Sequence, residues 1–147
     1  MRRLPLVLAL AFSAFGLAAC GASKHTSTTG NTAAARAEIK SAYVKFFSGK
    51  TPVSDRVALL QNGPKFKPVI EAFASNPLAK SASATVSSVT LQRQDKAKVV
   101  YTVKVAGAGL PRQTGTAVRE NGTWKVGDAS LCKLVALQGS TPAACKP

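Results

Sequence analysis

The chain of 147 residues carries 20 Lys and Arg against 6 Asp and Glu, a formal net charge of +14, with 46 % apolar side chains, three Cys and one His. That length suits a single domain, and the apolar fraction excludes a chain disordered throughout. The apolar residues are too locally concentrated for several membrane spans, and one His with three Cys is thin material for a zinc cluster.

Residues 1–19 read as an export leader. Arg2 and Arg3 precede a run from Leu4 to Leu17 that is almost wholly apolar apart from Ser13, and Ala18-Ala19 supplies the small residues of a cleavage site. The run is short for a retained span of ~20 residues. Leu17-Ala18-Ala19-Cys20 resembles the bacterial lipobox, whose cysteine is diacylated and becomes the new N-terminus. Cys20 is therefore the expected lipid-attachment residue, anchoring an extracytoplasmic domain to the cell membrane. The alternative is a secreted protein with a free Cys20. Setting Cys20 aside leaves Cys132 and Cys145, an even pair in an exported chain, and a disulfide between them is expected. Loss of Arg2 and Arg3 with the leader lowers the net charge from +14 to +12. Such a surface favours anionic neighbours: lipid headgroups, an anionic envelope polymer or a protein partner. Nucleic acid is not expected, because the compartment is wrong and no recognition motif is present.

Residues 20–33 are poor in large apolar side chains and are expected to form a flexible tether, with a single domain over 34–147 ending in a disulfide-closed segment. His25 falls in the tether, which denies it a fixed position for metal or catalytic work. From Ala34 to Gly49, residues Ile39, Ala42, Tyr43, Phe46 and Phe47 recur at helical spacing. Thr51-Pro52 reads as N-cap and first residue of a second helix, with Val53, Val57 and Leu60 as its apolar stripe and Asn62-Gly63-Pro64 as its end. A third helix carries Phe66, Val69, Ile70 and Phe73 and stops at Asn76-Pro77.

After Pro77 the period changes from 3.6 to 2. Ala84 and Val86, then Val89 and Leu91, predict a strand with a bulge near Ser87-Ser88. Ala97, Val99, Tyr101, Val103 and Val105 share one face of the next strand, with Lys96, Lys98 and Lys104 on the other. Gly107 to Pro111 reads as a loop. Strands over Gln113–Arg119 and Thr123–Asp128 flank Glu120-Asn121-Gly122. The apolar pattern favours a three-residue loop, which pairs Val118 with Trp124 and Thr116 with Val126, over a two-residue Asn-Gly turn.

The fold class is thus α+β: three N-terminal helices packed on a curved four-stranded antiparallel sheet. The runs Ala42–Pro52, Asp55–Gly63, Gln113–Val118 and Gly122–Val126 resemble the mycobacterial low-molecular-weight-antigen family. That family is similar to the nuclear-transport-factor-2-like cone, which implies helices capping a curved sheet. It implies a fold more than an activity, because that cone hosts enzymes and binding modules alike.

Candidate chemistry is sparse. Ser48-Gly49-Lys50-Thr51 lacks the first glycine of a phosphate loop, and Gly107-x-Gly109 lacks the rest of a dinucleotide fingerprint. Asp55 beside Arg56 is the acid favoured by the resemblance, with helix capping or an ion pair as its plainer explanation. Asp128 shares a predicted strand face with Trp124 and Val126, which would aim it into the cone as a general base, with a strand end exposed to water as its plainer explanation. The domain holds no histidine to partner either acid. Tyr43, Phe47, Tyr101, Trp124 and Asp128 are the candidate pocket residues, although aromatics more often simply fill a core. Lys96, Lys98 and Lys104 are the candidate contact to an anionic surface. The expected function is a lipid-anchored, non-enzymatic binding or interaction module, without cofactor or metal. The alternative is a small apolar-ligand carrier or an enzyme using the cone cavity, and a homodimer through the sheet is a further arrangement open to the fold.

Overall fold

The computed structural model describes residues 28–146 apart from 138 and 140. The leader, Cys20 and His25 lie outside the described residues, as does the first part of the expected tether. Its last part does not behave as a tether: Thr28 already belongs to α1 (Thr28–Phe47), which thus begins before Ala34. The inward positions of α1 are those with helical spacing, Ile39, Ala42, Tyr43, Phe46 and Phe47, all buried.

α2 (Val53–Leu59) starts one residue later than expected. Pro52 is its N-cap, and the Pro52 carbonyl accepts from the Arg56 amide at 3.1 Å. After α2 the chain turns sharply at Asn62, in the left-handed region at φ 53°, and enters α3 (Gly63–Ser75). Phe66 and Ile70 of α3 are buried, with Val69 and Phe73 partly so. Asn76 ends α3 in extended geometry, and its side chain accepts from the Leu78 amide at 2.9 Å, starting a 3₁₀ turn over Pro77–Ser81.

The sheet has five antiparallel strands: β1 (Ser83–Arg93), β2 (Lys96–Val105), β3 (Ala108–Gly109), β4 (Gln113–Glu120) and β5 (Thr123–Val126). Their order is β1-β2-β4-β5, with the two-residue β3 beside the far end of β2. β2 is the spine. Ala97, Val99, Tyr101 and Val103 are all buried on its inner face. The β1–β2 register shifts between Val86 and Ser88, where the slip in apolar phase places a bulge.

The β4–β5 hairpin differs from expectation. Arg119 pairs with Trp124, Val118 with Lys125 and Ala117 with Val126, around a two-residue turn. Asn121 and Gly122 have φ of 51° and 79°, the primed-turn geometry that matches strand twist. The inward residues of β4 are the small Gly115 and Ala117, and Val118 lies on the outer face. A pattern that seeks the larger apolar residue for the core picks the wrong face here. The space is small because Tyr43 fills it: a Cβ on Gly115 would press on Ser130 Oγ and lie 2.7 Å from Tyr43 Oη.

A fourth helix, α4 (Asp128–Ala136), follows directly, so the described residues form four α-helices and five strands, where three helices and four strands were expected. β5 is half the length of β4, and α4 covers the edge that β5 leaves open. The Gly127 amide donates to the Thr116 carbonyl at 2.7 Å, and the Thr116 amide donates to Ser130 Oγ at 3.1 Å. These bonds satisfy strand groups that would otherwise present a pairing template. Cys132 of α4 is disulfide-bonded to Cys145 across 13 residues, as the cysteine count predicts. On the far side of β5, Leu60 forms a parallel bridge to Val126, and the Gln61 amide donates to the Val126 carbonyl at 2.9 Å. No helix among the described residues is long and apolar enough to cross a membrane.

Candidate functional site

Where the helices meet the far end of β2, packing leaves an open cavity of about 320 Å³. Phe46 and Phe47 from the end of α1, Ile70 and Phe73 from α3, Val103 and Val105 from β2, and Leu131 and Leu134 from α4 form its apolar wall. Leu110, after β3, and the 3₁₀ turn with Leu78, Ala79 and Ala82 complete it. Leu78 is 57 % exposed, so the apolar lining reaches solvent. The approach of this turn to the end of α1 depends on Gly49, whose amide donates to the Ala82 carbonyl at 2.8 Å. A Cβ there would collide with the Ala79 and Lys80 carbonyls.

Among the described residues, one charged side chain lines the cavity. Arg56 of α2 is only 8 % exposed, and its Nη2 donates to the Ser48 carbonyl at 2.7 Å, just beyond the C-terminus of α1. A cation suits that helix end. That acceptor is neutral, Arg56 makes no salt bridge among the described residues, and its Nε is buried with no acceptor there. Burial lowers the Arg56 pKa from its ordinary value, because desolvation opposes the charged form. Sequence reasoning fixed on Asp55 and missed this residue. Asp55 is exposed, accepts from Ser54 Oγ at 3.2 Å, and makes no salt bridge among the described residues. The signal for Arg56 was present in the spacing: Val53, Arg56, Val57 and Leu60 fall at i, i+3, i+4 and i+7, one helix face.

Of the five residues read as a pocket, only Phe47 lines this cavity. Its ring stacks on Tyr101 at 5.2 Å between centroids, and Tyr43 meets Tyr101 edge-on at 5.0 Å, so these aromatics form solid core behind the cavity wall. Trp124 is also core, 3 % exposed, with an Nε1 that finds no acceptor. Asp128 is not an inward strand residue. It opens α4, where its Oδ1 accepts from the Ala129 amide at 2.7 Å and its Oδ2 from Asn62 Nδ2 at 2.9 Å. An acid suits the first turn of a helix, so the carboxylate is spent on structure.

The buried hydroxyls form a closed knot instead of a reactive site. Tyr43 Oη donates to the Thr116 carbonyl at 2.6 Å and lies 3.0 Å from Ser130 Oγ, while Tyr101 Oη donates to the Ser130 carbonyl at 3.4 Å. Desolvation raises both phenols, Tyr101 to about 12. Lys96, Lys98 and Lys104 share the outer face of β2, the first half-buried and the others exposed. A smaller depression of about 190 Å³ lies between Lys98, Thr116, Ser130 and Lys133.

A family model for the C-terminal domain of the low molecular weight antigen MTB12 matches residues 31–142. Comparison with curated proteins gives no match.

Proposed function

The chain belongs to the low molecular weight antigen MTB12 family through that C-terminal domain, and we propose that it is a lipid-anchored, extracytoplasmic binding protein whose cavity holds an apolar ligand. One observation carries the reading: an apolar cavity of about 320 Å³, open at Leu78, within the size range of small-molecule sites. A non-enzymatic role is favoured by the wall itself. Arg56 is the one ionisable side chain among the described residues that line it, and a guanidinium stays protonated at neutral pH and is ill suited to general acid–base work. Export and anchoring rest on the lipobox-like Leu17-Ala18-Ala19-Cys20, with support from the Cys132–Cys145 disulfide.

The test uses the neutral dye N-phenyl-1-naphthylamine, whose fluorescence rises in apolar surroundings. Saturable binding near one dye per protein is expected, together with its loss in Leu110→Trp, which fills the cavity from a loop. A dye titration with no saturable component refutes the reading. For the anchor, mass spectrometry of the membrane-fraction protein should find a diacylglyceryl group on Cys20, and an unmodified thiol there refutes anchoring. The basic outer face of β2 supports a second contact, to an anionic envelope surface, through Lys96, Lys98 and Lys104.

A further inference from the structure

We propose that the ligand is a single-chain amphiphile with an anionic head, and that Arg56 is the residue that receives this head. The inference rests on the cavity reading above and adds to it a chemical class.

Arg56 is a buried cation facing a neutral environment. Its partner is the Ser48 carbonyl, one acceptor for a group with five donors. The enclosed Nε has none. An unpaired charge in low dielectric is costly, and proteins place one there when something else supplies the counter-charge. A structural role as a cap for α1 accounts for one hydrogen bond. It does not account for the choice of a guanidinium on a residue that lines an open apolar cavity, because a lysine or an asparagine can supply one donor. A guanidinium supplies a planar fork that matches the two oxygens of a carboxylate or the oxygens of a phosphate.

The rest of the wall fixes the other half of the ligand. Phe46, Phe73, Val103 and Leu110 offer no hydrogen bonds from their side chains, so the part that lies against them is hydrocarbon. A cavity near 150 Å³ holds one benzene ring, so a cavity about twice that size suits a chain on the order of ten to twelve carbons. Exposed Leu78 at the opening lets a longer chain continue outward. The strongly basic surface, with the net charge of +12 that remains once Arg2 and Arg3 leave with the leader, draws such anions toward the molecule.

The experiment displaces N-phenyl-1-naphthylamine from the disulfide-bonded protein with three ligands of equal chain length: dodecanol, dodecanoate and dodecyl phosphate. The anionic ligands should compete about ten- to hundredfold better than dodecanol, the range that one charge-assisted pair supplies. The better of the two identifies the head as carboxylate or phosphate. In Arg56→Met the advantage of the anions should vanish while dodecanol binds as before. In Arg56→Lys it should be partly kept. Equal competition by all three ligands on the unaltered protein overturns the inference while leaving the cavity reading intact. Failure of any ligand, dodecanol and dye included, to bind overturns the cavity reading itself. The comparison on the unaltered protein holds even if the Arg56 variants fold poorly.

Discussion

The contact between Gly115 and the Tyr43–Ser130 pair offers the sharpest test of how this core is built. Gly115→Ala places a methyl where Ser130 Oγ and Tyr43 Oη already sit, the latter 2.7 Å away. Neither neighbour is a free side-chain tip, because both are tied to Thr116. Overpacking of this kind costs about 1–3 kcal/mol, and the upper half of that range is expected here. Tyr43→Phe removes the hydroxyl and its 2.6 Å bond to the Thr116 carbonyl, for about 1 kcal/mol, since that carbonyl still accepts from Gly127. Removing the hydroxyl also removes one of the contacts that the new methyl would meet. The double variant should therefore lose less stability than the two single losses combined, by roughly 0.5–1.5 kcal/mol. Urea unfolding of the oxidised domain, read as midpoints with a common slope, measures all three. A near-neutral Gly115→Ala, or strict additivity, would refute the packing argument.

Three further outcomes are expected. The only two tyrosines are both buried, so each holds its proton more tightly folded than unfolded. Stability should be insensitive to them below the ordinary phenol value of 10.0 and fall as pH rises toward about 12, by up to about 1.4 kcal/mol per pH unit for each tyrosine. Tyrosinate absorbance and loss of circular dichroism should rise together, and tyrosinate forming near pH 10 in an intact fold contradicts this. Replacing Cys132 and Cys145 by Ala should cost about 3 kcal/mol in urea unfolding, with the loss matched by adding reductant to the unaltered protein. Changing Lys96, Lys98 and Lys104 together to Gln should weaken salt-sensitive retention on anionic vesicles, and unchanged retention rejects that surface as a contact.

Much of the scaffold was legible because its signals were periodic and uninterrupted. The α1 stripe from Ile39 to Phe47 and the alternation from Ala97 to Val103 each bury a full face, so hydrophobic pattern and structure coincide. The β4–β5 turn was misread because the inner face of β4 is made of Gly115 and Ala117, residues chosen to make room and not to fill it. α4 was missed for a related reason. It is nine residues long, and its buried set includes Ser130, whose side chain serves β4, so its apolar stripe is interrupted where the function of the helix lies. Arg56 was hidden by its charge: a basic residue between apolar neighbours reads as solvent-facing until burial is seen. The cavity has no sequence signature because a void is set by how four helices and a sheet fail to fill one corner.

The bulge in β1 has a bearing on how the molecule behaves among its own copies. Ala84, Val86, Val89 and Leu91 lie opposite Val103, Tyr101, Val99 and Ala97 on the inner face of β2, so a strand lacking Ser87 would keep the same in-and-out order and the surplus residue is not demanded by the core. What it does is bend the outermost border of the sheet, the one long margin among the described strands that no neighbouring segment pairs with. A crooked margin is a poor template for a straight visiting strand. Ser87 thus leaves that border badly shaped for strand addition by another copy, with Arg93 the one charged residue along β1.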